Sequence, residues 1–243
     1  LLEGTIDPRR ITLEILEGSD FQEQKEAVTD LWELKALGVR LALDDVGSAY
    51  SSLLRIKELP IDEVKLDQGF IRTLEERPED LAFVRSIQGL ARGLGVDLVV
   101  EGVETAAIQD ALRALGVDLL QGYAIAKPMP LEQLQNFLQQ PIRLPQDCPS
   151  TLLGLYAASL VHHEGIKSAI RLHSRLLNPV ILADARSCET AAQLQRLLAA
   201  DPDTLATLNA LHEEYHHQLA QLEAVALSDA GHCLDGTAGD GAE

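Results

Sequence analysis

Basic residues are scarce in this sequence: 20 Lys and Arg stand against 38 Asp and Glu, for a formal net charge of −18. That balance excludes a general nucleic-acid-binding surface, which needs a basic footprint. It leaves room for an anionic substrate where metal ions invert the local charge. No apolar run approaches the ~18 residues of a membrane span, and no secretory leader opens the chain, so no membrane contact is expected within it. Cysteine is rare as well. Cys148, Cys188 and Cys233 lie far apart and make no disulfide framework, which fits a reducing, cytoplasmic setting; the chain could equally be the cytoplasmic part of a larger, membrane-attached protein.

Hydrophobic residues make up 46% of the 243 positions, enough to bury one large core or two modest ones. The chain starts at Leu1, and LLEGTIDPRR reads as the interior of a longer polypeptide, so a fragment or processed product is expected. Residues 11 to 139 alternate between two textures. Strand-like runs are ITLEILE (11–17), RLALDDV (40–46), EVKLD (63–67), DLVVEGV (97–103) and LLQGYAI (119–125). Helices are expected between them: from an Asp20 cap to Gly38, from near Pro78 to Gly95, and from a Thr105 cap to Gly116. Near-continuous apolar runs suit parallel strands buried on both faces. Repeated βα units define an α/β fold, either a barrel or an open sheet, and five visible units do not choose between them, since a closed barrel has eight.

The texture changes at PIRLPQDCPS (141–150), which reads as a linker. Helices are expected beyond it at about 151–177, 187–200 and 203–228, and a Gly- and Asp-rich tail, residues 229–243, reads as disordered. The expected domains are therefore 1–140, the linker, 151–228 and the tail.

Charged and amide side chains, most of them acids, recur at the strand ends: Glu14 and Glu17, Asp44 and Asp45, Lys65 and Asp67, Glu101 and Glu104, then Gln121. In a parallel βα array these ends meet on one face, where active sites are built. Clustered carboxylates repel one another unless divalent cations lie between them, and hard oxygen donors select Mg²⁺ or Mn²⁺. Two such ions bridged by one carboxylate suit phosphodiester hydrolysis, with Asp44-Asp45 placed for the bridge. The bland alternative is that these are ordinary caps and solvated rim residues.

The stretch DDVGSAYSSLLRIKELPIDEVKLDQGFI (44–71) resembles the DDFGTGYSSL…LPVDxLKIDxSFI signature of EAL domains. VVEGVET (99–105), QGYAIAKPMP (121–130) and ITLEILE (11–17) are similar to three further family segments, in the family's order. The resemblance implies a partial (β/α)8 TIM-type barrel that hydrolyses cyclic di-GMP to linear pGpG with two Mg²⁺ or Mn²⁺ ions. It implies that Glu14 ligates the first metal, that Asp44 bridges both and that Asp45 binds the second. Glu101 would sit by the second metal and the attacking water, as ligand or base. Lys65 would steady water or phosphate, Glu104 and Gln121 would complete the site, and Glu17 would hold the loop after Asp45, which governs metal binding and dimer contacts. In that loop Ser48 and Ala49 replace the family's Thr-Gly, and Ala49 loses the freedom glycine has at φ > 0. The EAL tripeptide and an Asn ligand belong to an upstream part of the domain absent from this sequence, so this chain alone is expected to be impaired.

In the C-terminal region His212 and His216 are spaced i, i+4, so both rings leave one helix face, which is zinc-ligand spacing. Polar surface histidines are the alternative. Cys188 and His163, on other helices, could complete a tetrahedral site in an all-α bundle. HEGIK (163–167), LNPVILADARSC (177–188) and LHEEYH (211–216) resemble chemoreceptor zinc-binding (CZB) domains, with ETAAQL in place of that family's LGxW. The resemblance implies a Zn²⁺-sensing, dimerising module held by His163, Cys188, His212 and His216. Cyclic di-GMP, a second copy of the chain, and an upstream sensor or diguanylate cyclase domain are the expected partners. A non-catalytic cyclic di-GMP-binding or regulatory protein is the alternative function.

Overall fold

The computed structural model describes residues 6–16, 25–46, 59–140, 148–171, 185 and 188–235. The chain divides into two units, residues 1–147 and 148–243. In the first, five strands form one parallel sheet: β1 (Thr12–Leu16), β2 (Arg40–Val46), β3 (Glu63–Leu66), β4 (Asp97–Val100) and β5 (Leu119–Leu120). Their spatial order is their chain order. A doubly wound sheet reverses direction at a switch point, and these five strands contain none. The fold of this unit is α/β, with a parallel five-stranded sheet.

Helices α1 (Lys25–Ala36), α2 (Leu81–Leu94), α3 (Ala106–Ala114) and α4 (Leu131–Leu138) follow β1, β3, β4 and β5. The punctuation follows the local chemistry. Gly95 closes α2 at φ 71, and the Thr105 hydroxyl accepts the Ile108 amide, 3.2 Å away, at the start of α3, satisfying a donor that the first turn leaves unpaired. Leu81, Val84, Ile87 and Ala91 recur at helical spacing along the buried face of α2. In β2, Leu41, Ala42 and Leu43 are buried consecutively, as expected of a strand covered on both faces. Leu43, Val64, Leu66 and Val100 carry the core across the sheet.

β4 and β5 are shorter than the expected 97–103 and 119–125. Gly102 turns the chain away from the ladder at φ 69, and Gly122 does so beyond β5, so the residues past each strand become rim loops. Helix α4 was not expected, and Asp20, the expected cap of α1, lies outside the described residues.

In the second unit the elements among the described residues are helices: α5 (Leu152–Arg171), α6 (Glu189–Leu197) and α7 (Pro202–Asp235). Leu155, Leu194 and Leu198 pack with Leu205 and Leu208, while Ile166 and Leu219 pack with Tyr215. Asp201 Oδ1 accepts the Thr204 amide at 3.1 Å and starts α7. That helix continues to Asp235, past the expected limit at 228. Its AQLEAVAL run is rich in good helix formers, and the single Gly231 is a tolerable interruption. No helix among the described residues is long and apolar enough to cross a membrane.

Candidate active site at the strand ends

Side chains alternate along a strand, and the register places Glu14 opposite Ala42, Ala42 opposite Glu63, and Lys65 opposite Val99. Two-residue steps from these positions reach Asp44 and Glu101. Glu14, Asp44, Lys65 and Glu101 thus share one face of the sheet, toward the carboxyl ends of the strands. Asp45 would by alternation face the other way. It does not, because it adopts φ 58, and the β2–β3 register shifts between Leu43 and Val46. A bulge of this kind re-aims a side chain, and Asp is among the few non-glycine residues that tolerate the left-handed region. Adjacent carboxylates are thereby turned to one place: ligand atoms of Asp44, Asp45 and Glu101 lie within 4.8 Å of one another.

At the centre is Lys65, 6% exposed. Its Nζ lies 2.7 Å from Glu101 Oε1, 2.9 Å from Asp44 Oδ1 and 2.9 Å from Glu14 Oε1. Burial by itself would lower the pKa of this amine, but the bonds to Glu101, Asp44 and Glu14 outweigh it and hold the ammonium above the usual lysine value. Asp44 Oδ1 is fully buried and, despite its closeness to Nζ, meets no donor along a hydrogen-bonding direction. An oxygen-only set with such an orphaned acceptor fits a hard divalent cation.

Beside the carboxylates lies a cavity of about 560 Å³ whose lining includes Glu101, Glu104, Gln121, Arg72, Tyr123 and Phe137. Two glycines bring its walls together. A Cβ on Gly102 would overlap Gln68 Cβ, and one on Gly122 would overlap the Val103 backbone. The closeness of the second pair is fixed by Val103 N donating to Gln121 O at 3.1 Å and Gln121 N donating to Val100 O at 2.9 Å. The structure thus brings together Glu14, Asp44, Asp45, Lys65 and Glu101, with Glu104 and Gln121 on the adjoining wall. Glu17, Ser48 and Ala49 lie outside the described residues. Sequence reading missed Arg72, whose Nη2 donates to Gln68 Oε1 at 2.6 Å. Only the i, i+4 spacing of the two residues hinted at the pair, and nothing marked it as part of a cavity wall.

In the second unit, ligand atoms of Cys188, His212 and His216 also lie within 4.8 Å of one another. The two rings stand edge to face with centroids 4.6 Å apart, as i, i+4 placement on α7 dictates. Cys188 precedes α6 as its N-terminal cap residue. His163 falls outside that threesome. Its Nδ1 is 2.8 Å from the Tyr215 hydroxyl, because α5 packs it against the ring one residue before His216. Burial lowers the pKa of His212, helped by neighbouring His216, and burial lowers that of His163, helped by Lys167. Both imidazoles therefore favour the neutral form that a metal needs.

The EAL domain family model matches residues 1–128, and the chain belongs to that family. The chain is 42% identical over 134 residues to the bifunctional diguanylate cyclase/cyclic di-GMP phosphodiesterase MucR of Pseudomonas aeruginosa, covering 55% of this chain and 20% of that protein. It is 36% identical over 137 residues to the cyclic di-GMP phosphodiesterase RocR of the same organism, covering 56% and 35%. Among solved structures, the MucR phosphodiesterase in complex with c-di-GMP superposes with a TM-score of 0.50 at 41% identity, over 55% of this chain and 54% of that one. The chain thus spans about a fifth to a third of the length of these two curated relatives.

Proposed function

We propose that the protein hydrolyses cyclic di-GMP to linear pGpG, within a (β/α)8 barrel to which this sheet contributes five strands. The observation that supports this most is the gathering of Glu14, Asp44, Asp45 and Glu101 around Lys65 on one rim, in a chain of a family whose phosphodiesterases depend on divalent metals. In this reading Glu14 and Asp44 would hold one Mg²⁺ or Mn²⁺ ion, and Asp44, Asp45 and Glu101 would hold the other. The ions would supply Lewis-acid activation of water and neutralise charge on the phosphodiester. Glu101 orients the attacking water and holds its proton. The water oxygen bonds to phosphorus, the ester P–O bond breaks, and the leaving oxygen takes a proton. Lys65 contacts a phosphate oxygen as charge shifts onto it. Glu104 and Gln121 orient the nucleotide in the adjoining cavity, and Glu17 holds the loop after Asp45.

The test is hydrolysis by the full-length protein with Mg²⁺ or Mn²⁺, followed by product analysis. Turnover to pGpG that Glu101→Ala abolishes is expected. Binding without cleavage in either metal would favour a receptor instead.

For the helical unit, residues 151–228, we infer a zinc-binding, self-associating CZB-like module. The mixed thiolate and imidazole set of Cys188, His212 and His216 is one that Zn²⁺ prefers, with His163 as the fourth ligand. About one zinc per chain is expected in the purified protein, with weaker retention in Cys188→Ala. A metal content unchanged by that substitution would reject the site.

A further inference from the structure

Three carboxylates crowd the Lys65 ammonium as ion-pair partners, at 2.7, 2.9 and 2.9 Å. Two of those partners, Asp44 and Glu101, also belong to the trio of carboxylates drawn together closely enough to hold one cation. The same groups are therefore committed twice, once to the amine and once to any metal. A divalent ion bonded to these oxygens at roughly 2.0–2.6 Å would sit within about 4 Å of an ammonium still paired with them. At that separation a double and a single positive charge repel strongly in a partly buried site. Lysine has a flexible four-carbon stem and a compact charge, so the amine can give way while the strands stay fixed.

We propose that Lys65 is the resident cation of the metal-free centre, and that divalent ions load the centre by displacing its ammonium from Asp44 and Glu101. The inference rests on the reading of this rim as a divalent-metal site. Displacement gives Lys65 two successive tasks. Before loading it holds together carboxylates that would otherwise repel one another. After loading it is a released, charged donor at the edge of the centre, available to a phosphate oxygen. Metal entry and delivery of the amine are then one event. The opposite arrangement, in which Lys65 stays in place and orients the ligands for the metal, predicts the opposite effect of removing its charge.

The test is Mn²⁺ titration of this chain and of Lys65→Met by calorimetry or by loss of the free-ion EPR signal. Displacement predicts at least tenfold tighter binding in Lys65→Met, a lower melting temperature for that variant without metal, and a larger upward shift when metal is added. Equal or weaker binding in the variant overturns the proposal. Should Lys65→Met fail to fold, the wild-type chain decides alone. The ¹⁵Nζ resonance of Lys65 should be slowly exchanging without metal and should shift or vanish on saturation with Mg²⁺, and an unmoved resonance overturns displacement. Mn²⁺ binding by a wild type whose Lys65 does not move would reject this inference and leave the phosphodiesterase reading standing. Absence of Mn²⁺ binding in both proteins would reject this inference, and the full-length hydrolysis assay decides the phosphodiesterase reading separately.

Discussion

Asp45 shows what a single backbone torsion contributes. The adjacent acids were legible in the sequence as a pair at a strand end, but strand alternation alone would send them to opposite faces. What joins them is φ 58 at Asp45 and the register shift around it, and neither leaves a mark in composition or spacing. Two substitutions separate ligand from backbone. Asp45→Asn keeps a residue that tolerates the left-handed region while removing the charge, so stability should hold within about 0.5 kcal/mol and Mn²⁺ affinity should fall at least tenfold. Asp45→Val puts a β-branched side chain where φ is positive and should lose about 1–3 kcal/mol of stability. Denaturant melts of the metal-free variants alongside Mn²⁺ titrations check both. Equal destabilisation by Asn and Val would show that the charge, and not the torsion, stabilises this turn. Lys65 was legible by type and motif, but its burial and its three partners were not, since these depend on registers spread over four strands.

Among the elements, helix boundaries with a chemical punctuation mark were the most readable. Thr105 and Gly95 lie where caps were expected, because a hydroxyl that accepts the Ile108 amide and a glycine at φ 71 each solve a local problem. Thr105 also donates to Glu75 Oε1, tying α3 to the turn after β3. Thr105→Ala should therefore cost about 1–2 kcal/mol, and Thr105→Ser should recover most of it, as read by chemical denaturation. A loss below about 0.3 kcal/mol in the alanine variant would mean that solvent caps the helix equally well. Helix α4 escaped reading because it follows Pro128 and Pro130, which mark a loop, and is only eight residues long. The ends of β4 and β5 were overextended for a different reason: EGV and QGYAI are apolar enough to pass for strand, yet their glycines turn them into the cavity wall.

At the scale of the whole molecule the two units answer to different conditions. In the helical unit, His163 and His212 have pKa values lowered chiefly by burial. The unfolded state therefore binds protons more readily, and stability rises with pH across the window between the folded values and the ordinary histidine value near 6.5. Their contribution is complete above about pH 6.5 and is lost as pH falls through the lowered folded values. Chelator-treated protein should show this unit melting at lower temperature at pH 5 than at pH 7. A melting temperature independent of pH over that range would place both imidazoles in solvent. The first unit should instead respond to salt. Its strand β1 has one neighbour among the described residues and exposes Leu13 at 39% and Leu16 at 57%. Helix α4 exposes Leu131 and Leu138, each at 70%, and Trp32 on α1 is 56% exposed. A strand with an open edge and apolar surface of this kind favour association, while a net charge of −18 opposes it by mutual repulsion. Salt screens the repulsion and leaves the apolar attraction intact, the Debye length falling from about 30 Å at 0.01 M to about 8 Å at 0.15 M. Sedimentation of this chain should therefore shift from smaller to larger species as NaCl rises over that range at fixed protein concentration. Were charge pairing to hold the chains together, salt would drive them apart, and a monodisperse monomer at every salt concentration would mean that these surfaces do not associate at all.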